Sequence, residues 1–280
     1  MATALTRTEH YVPRKDGRVY YVKVGQGEPL LLLHPAGRSG WHWRKVIDQF
    51  ARHYTCHNVD LPGYDHSDIP PRQYSIEDYL QAIMDVLDSA GISQTSILGS
   101  HTGSMIAVLM SATYPDRVRK MVLDGVPYWN REGGQTYFEK LVSPGYTDTT
   151  SYDRPVPPMT TWEEASASNP HLTRELWQKG EEIKQKSRYW SRLTFEAISG
   201  YDMTKIGPNV KAPSLILNGD GERIRFSEKE AEKGIAGTTL KVIEGSPGPV
   251  HEHKPEEFTR LALDFLSRTT ADSRKAMDGT

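Results

Sequence analysis

The chain has 280 residues, 34 basic and 36 acidic side chains, a net charge of −2 and a single cysteine. That length holds one large domain, or one domain with an insertion. The balanced charge excludes a long-range field suited to nucleic acid or an anionic membrane, and one cysteine excludes an internal disulfide framework.

The opening stretch "MATALTRTEHYVPRKDG" lacks the apolar run of a secretory signal, and no later segment stays apolar for the roughly 18 residues of a membrane span. The expected location is therefore the cytoplasm. "RVYYVKVG" alternates with period two and reads as a strand, and "PLLLLH" is a short apolar run of the same kind. "WRKVIDQFAR" has a helical pattern. "YTCHNVDL" reads as a strand that buries Cys56 as a structural thiol. "SIEDYLQAIMDVLDSAG" is a helix with a Ser-x-x-Asp start and a stop at Gly91. Strand "TSILG", helix "MIAVLMSATYPDRV" and strand "KMVLDG" follow.

The alternation then stops for about 80 residues, far beyond ordinary loop length, before resuming with "PSLILNG", "TLKVIEG" and the helix "PEEFTRLALDFLSR". Strands buried on both faces and joined by helices imply an α/β fold: a mostly parallel central sheet with helices on both faces. Residues 1–125 and 209–280 form its core and 126–208 an inserted helical lid, and "TTADSRKAMDGT" reads as a frayed tail. The lid is rich in aromatics. Most of these rings are expected to fix small helices to the core, while Trp129, Trp162 and Trp190, with His34, are assigned to an apolar substrate pocket.

The tightest turn lies in "ILGSHTGSMIAV", where two glycines bracket three residues between a strand and a helix. In the arrangement G-x-S-x-G the middle residue is a nucleophilic serine. Here it is His101, with Ser100 beside it as a displaced alternative.

Several motifs together resemble the α/β-hydrolase family: "LLLLHPAG" at the oxyanion loop, "DLPGYDHSD" at the Asp-x-Pro-Gly-x-Gly-x-Ser turn, and "GSHTG" at the elbow. "YPDRVRKMVLDG", "APSLILNGDGERI" and "HKPEEFTRLALDFL" complete the set. Order and spacing match over residues 18–268. The resemblance implies a Ser, acid, His triad, from which this chain departs twice. His101 holds the nucleophile position, and Gly248 falls where the triad histidine is expected, unless the loop presents His251 or His253. The family pattern puts the acid at Glu222, with Asp220 nearby and Asp124 as the alternative after the preceding strand.

Imidazole needs no neighbouring base to become reactive at neutral pH, because its ordinary pKa is about 6.5. The expectation is a dyad in which Glu222, or else Asp124, orients the ring of His101 as general base or nucleophile. The resemblance places the oxyanion hole at the backbone N–H groups of Thr102 and Ala36, Pro35 having no N–H to donate. "HEH" and "WHW" lack convincing metal-ligand spacing and the glycines fail the dinucleotide pattern, so neither metal nor cofactor is expected. The leading function is that of a cofactor-free α/β-hydrolase-type enzyme acting on a small, largely apolar ester, lactone or carbonyl compound, with lyase or other non-hydrolytic chemistry open to the same fold. Its rival is a catalytically silent small-molecule binding protein, which would not require an acid aligned with His101.

Overall fold

A computed structural model describes residues 5–142, 161–168 and 172–268. The expected tail, parts of the expected lid, and its Tyr146 and Tyr152 lie outside these residues. Eight strands form one sheet: β1 (Arg7–Arg14), β2 (Gly17–Val24), β3 (Glu28–Leu33), β4 (Tyr54–Val59), β5 (Thr95–Ser100), β6 (Val118–Asp124), β7 (Ser214–Gly219) and β8 (Thr238–Ile243). Their spatial order is β1-β2-β4-β3-β5-β6-β7-β8. From β4 to β8 every pairing is parallel, whereas β1–β2 and β2–β4 are antiparallel.

The helices are α1 (Ile47–Phe50), α2 (Ile76–Ser89), α3 (Thr102–Thr113), α4 (Arg131–Tyr137), α5 (Trp162–Ser168), α6 (Arg174–Ser199), α7 (Glu228–Gly234), α8 (Val250–His253) and α9 (Pro255–Ser267). Alternate strand residues sort the core onto the two faces of the sheet, as period two requires. Leu31, Leu33, Ile97, Met121 and Ile216 pack with α2 and α3, while Leu30, Leu32, Leu98, Val122 and Leu217 pack with α1 and α9. Cys56 is free and buried against the second group, and burial pushes its thiol up to about 12.

Two local expectations need correction. β1 has no counterpart in the sequence reading because it is an edge strand with only Val12 buried, so it carries little apolar alternation. "WRKVIDQFAR" is not one helix: a turn of 3₁₀ helix over Gly40–Trp43 precedes the four residues of α1. α2 begins with a full capping box, the Ser75 side chain accepting from Asp78 N–H and the Asp78 carboxylate from Ser75 N–H. Between β6 and β7 the described residues contain helices and no strand, among them the 26-residue α6. No helix among the described residues is long and apolar enough to cross a membrane.

One close contact sets the position of the elbow. A Cβ on Gly103 would lie 2.2 Å from the Leu33 carbonyl oxygen, and one on Gly99 would lie 2.8 Å from the Gly103 carbonyl oxygen. Side chains at either position would separate α3 from β3 or β5. Gly103→Ala should therefore lower stability by about 1–3 kcal/mol, the usual range for overpacking. Urea unfolding followed by circular dichroism measures it, and an unchanged midpoint would show that the elbow tolerates the methyl group.

Candidate active site

β5 ends and α3 begins at His101, which has φ 47° and ψ −103°. A non-glycine residue in this region is strained, and it persists only where its surroundings hold it. Here the His101 N–H is shared between the carbonyls of Asp124 and Gly125, at 3.1 Å each. Gly125 has φ 69°, and a Cβ there would lie 2.7 Å from His101 Nε2. Only glycine leaves room for the imidazole. The Gly125 N–H donates to Asn218 Oδ1 at 3.0 Å, Asn218 Nδ2 donates to Glu228 at 2.9 Å, and the Arg225 guanidinium closes on Glu228. A buried polar chain thus fixes the wall beside the ring.

The ring turns toward the acid after β7. His101 Nε2 lies 3.2 Å from Glu222 Oε1, with the Glu222 side chain 2% exposed and that of His101 26% exposed. Burial pulls the imidazole pKa down, but the hydrogen bond and charge of Glu222, with the charge of Asp124, more than offset it and leave it raised. Burial conversely pushes the Glu222 carboxyl up, and the bond and charge of His101, helped by the Ile224 and Arg223 amides, bring it below its ordinary value. The two carboxylates near the end of β7 divide their roles. Asp220 accepts the Gly245 and Ser246 amides at 2.8 Å each, which ties the β7 loop to the segment after β8 and leaves Glu222 to meet the ring.

A second pair sits beside the first. His251 Nδ1 lies 2.7 Å from Asp124 Oδ2, and both side chains are fully buried. Of the two histidines left open for the loop after β8, His251 is the one brought to Asp124. α8 lifts His251 inward, and Glu252 of the same helix is clamped by Arg44, with a 2.8 Å arm, and by Lys45. Asp124 accordingly partners His251 and not His101. His251 Nε2 and Asp124 Oδ1 have no hydrogen-bond partner, nor has Nε2 of His42, whose ring centroid is 4.1 Å from that of His251. Burial first, and then the neighbouring charges of His251 and Arg38, hold His42 well below the ordinary imidazole pKa, in its neutral form. No motif marks His42. Its place beside His251 follows only from how the 3₁₀ turn packs.

Other sequence assignments shift. The Ala36 N–H, expected to be free for an oxyanion, donates to Thr102 Oγ1 at 3.0 Å, so an oxygen entering there must displace that hydroxyl. Ser100 is fully buried at the end of β5, level with Asp124, and its hydroxyl has no hydrogen-bond partner. His34 follows β3 in the loop that carries Ala36. It is fully buried, with Nε2 accepting the Leu61 N–H at 2.9 Å and Nδ1 placed 2.8 Å from the Pro35 carbonyl, which orients the loop carrying Ala36.

The three tryptophans assigned to a pocket each contact another aromatic side chain. Trp190 is buried and donates to Tyr79 at 2.7 Å, Trp129 stacks on Tyr137 at 4.9 Å, and Trp162 meets Trp177 edge-on at 6.1 Å. Each ring ties helices together, because large apolar rings bury wherever a helix must be held down. Tyr137, on which Trp129 stacks, lies within range of the charges of Arg223 and Glu222. Among the described residues, His42, Asp124 and His251, and separately Asp60, Asp65 and His66, each bring three metal-capable atoms within 4.8 Å of one another. In the first group Asp124 and His251 already bond each other. In the second, Asp60 accepts the Gly40 and His66 amides and so holds the turn that follows β4.

Comparison with known proteins bears on this arrangement. A family model described as the α/β hydrolase fold matches residues 28–232. Epoxide hydrolase 4 of Mus musculus is 36% identical over 127 residues, 43% of this chain and 35% of that protein, so the chain spans about a third of that relative's length. The (E)-2-((N-methylformamido)methylene)succinate hydrolase of Acinetobacter baylyi is 31% identical over 260 residues, 89% of this chain and 94% of that one. The solved structure of Est816, an N-acyl homoserine lactone degrading enzyme, has a TM-score of 0.72 at 20% identity, over 91% of this chain and 100% of that one. The eight-stranded sheet, the strained elbow between β5 and α3, and a family match across most of the length together place the chain in the α/β-hydrolase superfamily of enzymes.

Proposed function

We propose that the protein hydrolyses a small, largely apolar ester, lactone or related carbonyl compound, with His101 as the general base and Glu222 as the residue that orients it. The observation carrying this reading is the 3.2 Å contact between a partly exposed imidazole on a strained elbow and a carboxylate that is almost wholly buried. A binding protein has no need of that alignment. With Nε2 turned to Glu222, the outward nitrogen of His101 is Nδ1. It takes a proton from a water molecule as the water oxygen attacks the carbonyl carbon. Glu222 stabilises the resulting imidazolium, and the Thr102 and Ala36 amides at the start of α3 and in the loop after β3 favour negative charge on the carbonyl oxygen. Collapse of the tetrahedral intermediate breaks the bond to the leaving oxygen, which takes the proton back from Nδ1. Of the segment read as a lid, the described helices α4, α5 and α6 between β6 and β7 are proposed to cover this site.

Hydrolysis of a small compound is supported by relatives named as an epoxide hydrolase and as the hydrolase of a succinate derivative. One observation favours a second assignment of roles. His251 is paired with Asp124 and has Nε2 without a partner, an arrangement suited to a base, with His101 then acting as a cation beside the oxyanion. Full burial of the His251 side chain weighs against this, since substrate and water reach His101 more readily.

On a panel of aryl esters and lactones, His101→Ala should lower kcat by about 10²-fold or more, the usual contribution of a general base. A panel left entirely unhydrolysed by the wild type would sink the reading.

The pH profile separates the two assignments of roles. A base must be neutral, so the rate should rise with pH through the raised pKa of His101, and Glu222→Gln should move that limb to lower pH because the carboxylate is what raises it. A rate that instead falls as His101 loses its proton, together with a loss in His251→Asn as large as that in His101→Ala, would transfer the base to His251.

A further inference from the structure

Two segments meet beside His101 and carry a group of aromatic rings. Residues 220–227 leave β7 and include Glu222, and residues 125–137 leave β6 and include the glycine wall against the imidazole. The Ser227 hydroxyl joins the two, donating to the Val126 carbonyl at 2.9 Å, one residue beyond Gly125. Three rings gather at this joint. Trp129 stacks on Tyr137 at 4.9 Å and on Phe226 at 6.3 Å, and Tyr137 meets Phe226 at 6.0 Å. Trp129 is buried and backs the group, whereas Phe226 is 61% exposed, the most open large apolar side chain among the described residues. A lone exposed ring would be ordinary, but this one extends a stack that begins four residues from the acid of the candidate site.

The cation next to the rings is unpaired. Arg223 follows Glu222 directly and is exposed. Among the described residues its guanidinium has no carboxylate at ion-pair distance and no hydrogen-bond acceptor, whereas the nearby Arg225 is held by Glu228 and by the Asp220 carbonyl. The charge of Arg223 reaches both the rings and the base. Burial raises the pKa of the Tyr137 hydroxyl, Arg223 pulls it back down, and Glu222, which meets the His101 ring at 3.2 Å, pushes it up again. At His101 itself, after burial, Glu222 and Asp124, the next charge to act is that of Arg223, against the protonated ring. Rings and cation thus lie around the same imidazole.

We propose that Phe226 and Tyr137, with Arg223 at their side, form a subsite for a planar aromatic carboxylate: the substrate ring lies on the two aromatic side chains and its carboxylate pairs with the guanidinium. This rests on the hydrolytic reading above and narrows it to esters or lactones built on an aromatic ring that bears a free carboxylate. Such a ring gains from offset stacking that a saturated ring of the same size lacks. Arg223 contributes a planar fork matched to both oxygens of a carboxylate, and with no protein partner it has no ion pair to break before it binds one. The Glu222 carboxylate, almost wholly buried and turned to His101, does not compete for it.

The test is calorimetric titration of the whole chain with three probes matched in size: benzoate, benzamide and cyclohexanecarboxylate. Benzoate should bind about fivefold tighter than benzamide, the upper end for an ion pair that water still reaches, and the ratio should shrink as salt is added. It should also bind about fivefold tighter than cyclohexanecarboxylate, the size of one aromatic contact. Arg223→Gln should bring the acid-to-amide ratio towards one and keep the preference for the aromatic ring, and Phe226→Leu should do the reverse. Both side chains are exposed, so the fold tolerates either change. In turnover, 3-acetoxybenzoate should exceed methyl 3-acetoxybenzoate in kcat/KM by a similar ratio in the wild type and lose that advantage in Arg223→Gln. Equal binding of the three probes with equal turnover of the two esters overturns the subsite while leaving hydrolysis standing, and an acid preference undiminished in Arg223→Gln overturns it too. Tighter binding of benzoate than of either other probe, with neither ester hydrolysed, retains the subsite and overturns the hydrolytic reading.

Discussion

The arrangement of the site depends on how closely α3 approaches the sheet. Gly103 lies against the Leu33 carbonyl with no space for a methyl group, and this draws the N-terminus of α3 down onto β3 and β5. His101, at the corner, has to adopt a backbone conformation that its side chain disfavours. The strain is held by the shared bonds from its N–H to β6 and the residue after it, and by the packing of the surrounding strands. In return the imidazole projects from the corner between β5 and α3, with its ring against Gly125 and Glu222.

Around that corner lie two acid–imidazole pairs, His101 with Glu222 and His251 with Asp124. Asp124 ends β6 and Glu222 follows β7, so neighbouring parallel strands deliver the two carboxylates to the same end of the sheet. Their separation is maintained by third parties. Asn218 holds Gly125 against the His101 ring, Asp220 binds the segment after β8, and Arg44 with Lys45 grips Glu252 so that α8 aims His251 at Asp124. The electrostatic outcome differs between the histidines. His101 is raised by a carboxylate at contact distance, while His42 lacks such a partner and is driven neutral by burial. One small region therefore holds imidazoles with opposite proton preferences, set by whether a carboxylate lies at contact distance.

The framework was legible because its signals are local. The apolar runs, Gly91, the Ser75 cap and the paired glycines of the elbow each specify a nearby geometry, and the sheet follows from their alternation. The elbow identified His101, and the family spacing brought Glu222 to it. What escaped were contacts set by loops. Spacing puts Gly248 at the histidine position, since the number of residues gives no direction to the turn that becomes α8. Aromatic content alone could not separate Trp190, a strut bonded to Tyr79, from Trp129, which stacks on Tyr137 and Phe226. Nor could it anticipate that Thr102 would occupy the Ala36 amide.

By itself the sequence determined the α/β architecture, the sharp turn between β5 and α3, and the unusual imidazole at its apex, because these rest on periodicity and on steric limits a few residues apart. Only the tertiary structure decided which carboxylate meets which histidine and which rings stack beside them. Those pairings join groups as far apart as Asp124 and His251, and long-range partners are chosen by how loops and helices close over the sheet.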